Sequence, residues 1–390
     1  MARNRVIYQS EALFVSPNAT GFHFTGADGN GSGNASDVTG IGGKHAPDKG
    51  NLIQQLTRVQ SANYSFTINR TDINEFGRLA RIDALITESP TVSMDFNYYP
   101  IDGRNEELLK FVVDGETNAI KNHLNDTVGS NFFIETVQEG ADVAGNNDAD
   151  DSKTTIALGN GFLSDYSMEA SVGSIPSASV TIEGFNMKAD KGITGLKIPG
   201  VTLEDGSPIT NREFSLPSGS TGAHGLAALR PGDLVLEIPE DAGLIVNTSG
   251  EDGGTSFHVQ SVNFSIPMSR TPIERLGSVF PYVRVPDVPL NASFTMNALV
   301  ADIGTGNLAV LIDNEVKRDL KVKMKDPSDN STTMTFEVKG ALLDSESFSS
   351  DIGGNKTVDL TFSTQVGGPE DKENGVFISG SHDTHIPKHP

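Results

Sequence analysis

The stretch VQSANYSFTINRTDINEFG, Val59–Gly77, recurs at an offset of 200 as VQSVNFSIPMSRTPIERLG, Val259–Gly277. Nine of the nineteen ungapped positions are identical, where average composition alone gives roughly one. Most differences keep character, as in Tyr64/Phe264, Phe66/Ile266, Ile68/Met268 and Phe76/Leu276. Within each stretch the side chains alternate. Tyr64, Phe66 and Ile68 share one side, and Asn63, Ser65, Thr67 and Asn69 the other; Phe264, Ile266 and Met268 oppose Asn263, Ser265 and Ser269 in the same way. Period two with one apolar face is the pattern of a half-buried strand. Pro267 requires an edge, a bulge or a position whose N–H would point away from a ladder.

Outward from this stretch the repeat continues. Val92, Met94, Phe96 and Tyr98 alternate with Ser93, Asp95 and Asn97, and Ala292–Asn297 matches at the same offset. Phe162–Ile182 lies over Leu342–Phe362 at an offset of 180, with Val180-Thr-Ile182 facing Leu360-Thr-Phe362. The chain therefore reads as two copies of one domain, the first carrying an insertion of about 20 residues expected within Gly129–Lys153. The Gly/Pro/Ser-rich run Lys191–Gly222 supplies the boundary. The expected division is 1–200 for the first repeat, with a glycine-rich arm over 19–50, 201–366 for the second, and 367–390 as a polar C-terminal tail. Helix signals are few: Asn105–Val113 with Asn105 as N-cap, Asn118–Leu124, and the counterpart Gly306–Asp313. The predicted fold is mainly β: two tandem antiparallel sandwich or barrel units, each with a short flanking helix.

Composition narrows the function. A length of 390 residues suits two domains. With 36% hydrophobic residues the chain can build cores, and with 21% charged it is no disordered polyelectrolyte. The absence of cysteine excludes disulfides, thiolate metal sites and a cysteine nucleophile. A net charge of −22 works against tight nucleic-acid binding, which draws on Lys and Arg at phosphates. No apolar run is long enough to span a membrane, and no apolar stretch follows the arginines of Met1–Leu13 as a secretory signal requires.

Catalytic patterns are missing. There is no His-Glu-x-x-His and no Gly-x-Ser-x-Gly, so neither a zinc hydrolase nor a serine-hydrolase elbow is indicated. Gly29-Asn-Gly31-Ser-Gly33 lacks the last glycine of a dinucleotide fingerprint, and Gly42-Gly43-Lys44 is followed by His45 where a phosphate loop needs Ser or Thr. Asp142–Asp151 has oxygen donors without the spacing of a calcium loop, and His382, His385 and His389 read as a solvated terminus. The chain is expected to be no enzyme and to carry no catalytic residue, metal or cofactor.

The two strands within Val59–Phe111, with the Arg70-Thr71…Gly77 segment that recurs as Arg270-Thr271…Gly277, resemble the core of major tail tube proteins of long-tailed bacteriophages (siphophages) of the duplicated, two-domain type. The likeness covers Val59–Asp114 and Val259–Asp313. It implies a virion structural protein whose β-sandwich units form rings that stack into a tail tube, with an inner sheet running continuously from subunit to subunit around the DNA channel. Two units per chain imply a homotrimer closing a pseudo-hexameric ring. The resemblance makes Ser61, Asn63, Ser65, Asn69, Ser93, Asp95 and Asn97, with Ser261, Asn263, Ser265, Ser269, Ser293, Thr295 and Asn297, candidates for the inner sheet and subunit interface. Arg70, Thr71 and Gly77, with Arg270, Thr271 and Gly277, would form a turn that each copy needs. Implied partners are further copies of the chain, and tape-measure, tail terminator and tail-tip proteins. Phage DNA would pass without specific binding during ejection, and no membrane is involved. The implied location is the virion tail, after synthesis in the host cytoplasm. The alternative reading is a tandem β-sandwich adhesin or decoration protein that binds a cell-surface ligand. The absence of Trp and the presence of only 6 Tyr argue against exposed aromatic platforms for such a ligand.

Overall fold

The computed structural model describes residues 11–16, 53–126, 129–138, 141–144, 150–197, 199, 213–217, 219, 228–238, 257–276, 280–281, 283–300, 308–313, 316–350 and 355–381. The arm at 19–50, Gly277 and the three histidines of the terminus lie outside them.

Among the described residues, strands of four or more residues divide evenly between the halves of the chain. The first half holds β1 (Glu11–Ser16), β2 (Val59–Thr67), β3 (Arg70–Ile73), β4 (Asp83–Ile86), β5 (Thr91–Tyr98), β6 (Ser130–Thr136), β7 (Thr154–Ser171), β8 (Ser177–Gly184) and β9 (Asn186–Lys191). The second holds β10 (Leu234–Glu237), β11 (Phe257–Pro267), β12 (Arg270–Ile273), β13 (Val283–Pro286), β14 (Asn291–Val300), β15 (Arg318–Lys325), β16 (Thr332–Ser349), β17 (Thr357–Gln365) and β18 (Gly375–Gly380). Three short α-helices accompany them among the described residues: α1 (Arg104–Leu108), α2 (Lys121–Leu124) and α3 (Leu308–Asp313). The chain is mainly β, and its strands pair antiparallel.

The pairing of the first half recurs in the second. β5 lies between β2 and β8 as β14 lies between β11 and β17. The long strand β7 pairs β6 and β9 along its first half and β8 along its second; β16 does the same with β15, β18 and β17. Even the irregularities coincide, at Val59/Ser61 and Val259/Ser261, Ser130/Phe132 and Arg318/Leu320, and Leu163/Asp165 and Leu343/Ser345. The last of these lets one strand turn from one sheet layer into the other, as bulges do.

These registers correct the expected single insertion at 129–153. The offset falls from 200 at β2/β11 to 188 at β6/β15 and 180 at β7/β16. Twelve of the extra residues therefore precede β6, around α1 and α2, and eight lie between β6 and β7. Sequence identity is too sparse between the strands to place a gap, whereas a ladder places it directly.

The core is shared. One apolar cluster includes Met94, Phe96, Tyr98, Tyr166 and Ile182 from the first half and Phe264, Phe294, Met296, Phe336 and Phe362 from the second. Both phenols at its centre have partners: Tyr98 Oη and Tyr166 Oη donate to Glu106 Oε1 at 2.7 and 3.2 Å. Burial raises the Glu106 carboxyl above its ordinary range.

Three further expectations are corrected. Asn105 is not an N-cap. Gly103, at φ 84, precedes α1, and Asn105 sits buried inside it, accepting from Thr57 N at 3.0 Å and donating to Thr57 O at 2.8 Å. Part of the supposed polar tail is β18, whose Val376, Phe377 and Ile378 are buried against β16. Three apolar residues between polar flanks are too short a run to stand out, yet a ladder needs only backbone. Finally, the apolar side of β2 is exposed, while the same side of β11 is buried.

Candidate assembly interface

The strands β2, β5, β8, the second half of β7, β11, β14, β17 and the second half of β16 follow one another in a continuous sheet of eight. Directly opposed residues share a face, so the registers sort the side chains. Ser61, Asn63 and Ser65 face the same way as Ser93, Asp95 and Asn97. Through Ser167 and Glu169 that face continues to Ser261, Asn263 and Ser265, then Ser293, Thr295 and Asn297, then Asp359 and Thr361. Most of the predicted inner-sheet residues thus lie together on one polar face.

That face is knitted by short side-chain bonds. Ser61 Oγ donates to Asn97 Oδ1 at 2.8 Å, Thr181 Oγ1 to Asp95 Oδ1 at 2.8 Å and Asn297 Nδ2 to Asp359 Oδ1 at 2.6 Å. Its charged positions are carboxylates: Asp95, Asp165, Glu169, Glu183 and Asp359. Partial burial raises the Asp165 carboxyl.

Asn69 and Ser269 do not belong to the face. β2 ends at Thr67 and β11 at Pro267, and both residues sit at the root of a hairpin. Asn69 Nδ2 donates to Glu88 Oε2 at 3.1 Å, and Ser269 O accepts from Asp287 N at 3.0 Å. The expected turn at Arg70-Thr71 and Arg270-Thr271 is instead the first strand of that hairpin, β3 with β4 and β12 with β13. Arg-Thr followed by Asp72 or Pro272 reads as loop on composition, but pairs readily as a two-stranded ribbon. Gly77 does lie in the connecting loop, at φ 89 with open space around its Cβ direction, so backbone conformation alone calls for glycine.

The two halves join where β11 meets β7, with Ser261 opposite Ser171, Phe264 opposite Met168 and Ser265 opposite Ser167. Pro267 closes this ladder opposite Asp165, beyond the last β14 pair, so its missing N–H costs nothing there. Each half contains one member of this junction that remains unused. Among the described residues β2, equivalent to β11, pairs only β5, and the second half of β16, equivalent to that of β7, pairs only β17. Burial follows pairing. Phe264 and Ile266 are 0% exposed, whereas Tyr64 and Phe66 are 45% and 57% exposed, and Phe348, equivalent to buried Met168, is 41% exposed.

The hairpin β12–β13 clamps the junction. Arg270 Nη1 donates to Asp126 O at 2.8 Å and to Arg284 O at 3.2 Å, Nη2 donates to His123 O, and the guanidinium carbon lies 4.6 Å from the centroid of the Phe162 ring. Arg284 forms an ion pair with Glu183. Burial lowers both guanidinium pKa values from their ordinary level, opposed by the carboxylates of Asp126 and Glu183. The sequence singled out Arg270 but gave no sign of Arg284, Glu183 or the α2 carbonyls, whose meeting depends on tertiary placement. Among the described residues there is no cluster of His, Asp and Glu able to hold a metal, and no helix is long and apolar enough to cross a membrane.

Against known proteins, no family model and no curated sequence matches the chain. Among solved structures, a chain in the cryo-EM structure of the anti-feeding prophage (AFP) baseplate, 6-fold symmetrised, is similar at 8% identity and a TM-score of 0.24. The match covers 38% of this chain and 91% of that one. At that TM-score the likeness adds nothing to the geometry.

Proposed function

We propose that the chain is a non-catalytic structural subunit of a bacteriophage tail tube. In this reading 1–200 and 201–366 act as two equivalent tube units, so three chains close a pseudo-hexameric ring, and rings stack into a conduit for the genome. The observation that carries the proposal is the β7–β11 junction, whose two members recur as β2 and β16 at the two ends of the eight-stranded sheet, each with one edge that has no partner among the described residues. An unpaired strand edge flanked by exposed aromatics invites another strand. Here each edge has its complement on the next copy of the same chain. A head-to-tail contact of this kind makes a ring when its rotation closes. Pairing β2 with β16 would extend the eight-stranded sheet from chain to chain and leave no edge free.

The polar face then serves the channel. Its carboxylates and hydroxyls offer phosphates no cationic partner, so DNA would slide past without adhering. Partners at the ends of the tube would be tape-measure, terminator and tail-tip proteins, and the site of action the virion tail. Negative-stain microscopy of the purified full chain tests the proposal: rings with threefold symmetry are expected, and particles of single chains at all concentrations would refute it.

A further inference from the structure

We infer that Arg70 locks each chain to the next, by donating to the last backbone carbonyls of helix α3 in a second copy of this chain. The inference rests on the ring reading above and goes beyond strand pairing to a side-chain clamp.

Inside the chain the clamp is already built once. Arg270 opens the hairpin β12–β13, is 7% exposed, and spends its fork of donors on His123 O and Asp126 O, at and just past the end of α2. His123 O also accepts from Asp126 N at 3.3 Å, and because a carbonyl oxygen has two lone pairs it can take the guanidinium as a second donor. Arg70 occupies the equivalent place, opening β3–β4, with Arg70 opposite Ile86 as Arg270 is opposite Pro286. Yet Arg70 is exposed and has no side-chain hydrogen bond or ion pair among the described residues. Its receptor is displaced to the other end of the chain. α2 precedes β6 as α3 precedes β15, and carrying the β6/β15 offset of 188 back to the helix puts 121–124 on 309–312, within Leu308–Asp313; the counterpart of Asp126, at 314, lies outside the described residues.

Two further observations point the same way. The internal ion pair joins Arg284 to Glu183; the equivalent positions are Ala84 and Ser363. Both charges are gone together, as a contact between those positions requires, because a lone charge left in the interface would be costly. The surfaces to be joined are also apolar. On the hairpin, Ile73, Ile82, Leu85 and Ile86 are exposed, and on α3 Leu308 and Ile312. Phe162 is replaced by Leu342, so the stacking of Arg270 on a ring gives way to alkyl packing under Arg70.

The same substitution at the two equivalent arginines separates the roles. Sedimentation velocity over a dilution series, with thermal melting of the dilute chain, is carried out on wild type, Arg70→Ala, Arg70→Lys and Arg270→Ala. Arg70→Ala should melt like wild type but raise the concentration for ring formation about tenfold or more, the scale of a lost charge-assisted bond. Arg70→Lys should recover only part, because an ammonium lacks the planar fork. Arg270→Ala should lower the melting temperature of the chain itself. Rings of Arg70→Ala at the wild-type concentration would overturn the clamp and leave the ring reading intact. A wild-type chain that never associates would overturn the ring reading and the clamp with it.

Discussion

His123 shows what the junction does to a titratable group. It lies in α2 beneath Arg270, buried, with its ring 4.8 Å from that of Phe111. Burial pushes its pKa down to about 3; the cations of Lys110 and Arg270 add to this and the Asp126 carboxylate opposes it. The folded chain therefore holds His123 neutral, while the unfolded chain protonates it near the ordinary imidazole value of 6.5. Its contribution to stability is complete above that value and is lost as pH falls toward about 3, at up to about 1.4 kcal/mol per pH unit. His123→Gln should remove that part of the slope. Denaturant unfolding at a series of acidic pH values measures it, and an undiminished slope in the variant would mean that other groups carry it.

At the scale of elements, β2 and β11 make a matched pair: nearly the same strand, once at an edge and once in the middle of a sheet. Phe264→Ala empties a position packed against Phe336 and should cost about 3–5 kcal/mol in the isolated chain. Tyr64→Ala, at the equivalent place, should change the stability of the isolated chain by no more than about 0.5 kcal/mol and weaken association instead. Chemical unfolding at low concentration, set beside a dilution series, separates the two effects. Equal destabilisation by both would show that β2 is buried within its own chain. The comparison also marks how far the sequence can be read. Alternation in Tyr64-Ser65-Phe66 announces a strand and its apolar side, but what covers that side is decided by whichever strand lies next to it. The hairpin strands Arg70–Ile73 and Arg270–Ile273 were hidden for a related reason. Four residues pairing across a loop give too little periodicity to distinguish them from a turn.

For the whole molecule, the repeat of Val59–Gly77 led to an expectation of two equivalent β units, and the ladders show β2 and β11 with the same register to β5 and β14 at the same offset. The polar candidates on β2, β5, β11 and β14 were legible because period two assigns a face without any tertiary information. The union of the halves through one sheet was not legible, since the pairing of β7 with β11 joins residues almost a hundred positions apart that share no motif. In the proposed ring, this union is what would make one chain a repeating unit. Applying the internal register of Ser167 opposite Ser265 between chains places Ser347 opposite Ser65 of the next copy, with Phe348 on the other face. Opposed positions bring Cβ atoms to about 5 Å, near enough for a disulfide with slight adjustment. Because the chain has no cysteine, a Ser65→Cys, Ser347→Cys variant contains only the intended pair. On mild oxidation it should form interchain disulfides that end in a closed three-chain species on a denaturing gel, while Ser65→Cys with Phe348→Cys should not. Absence of interchain linkage in the first variant, or equal linkage in both, would contradict ring closure through β2 and β16.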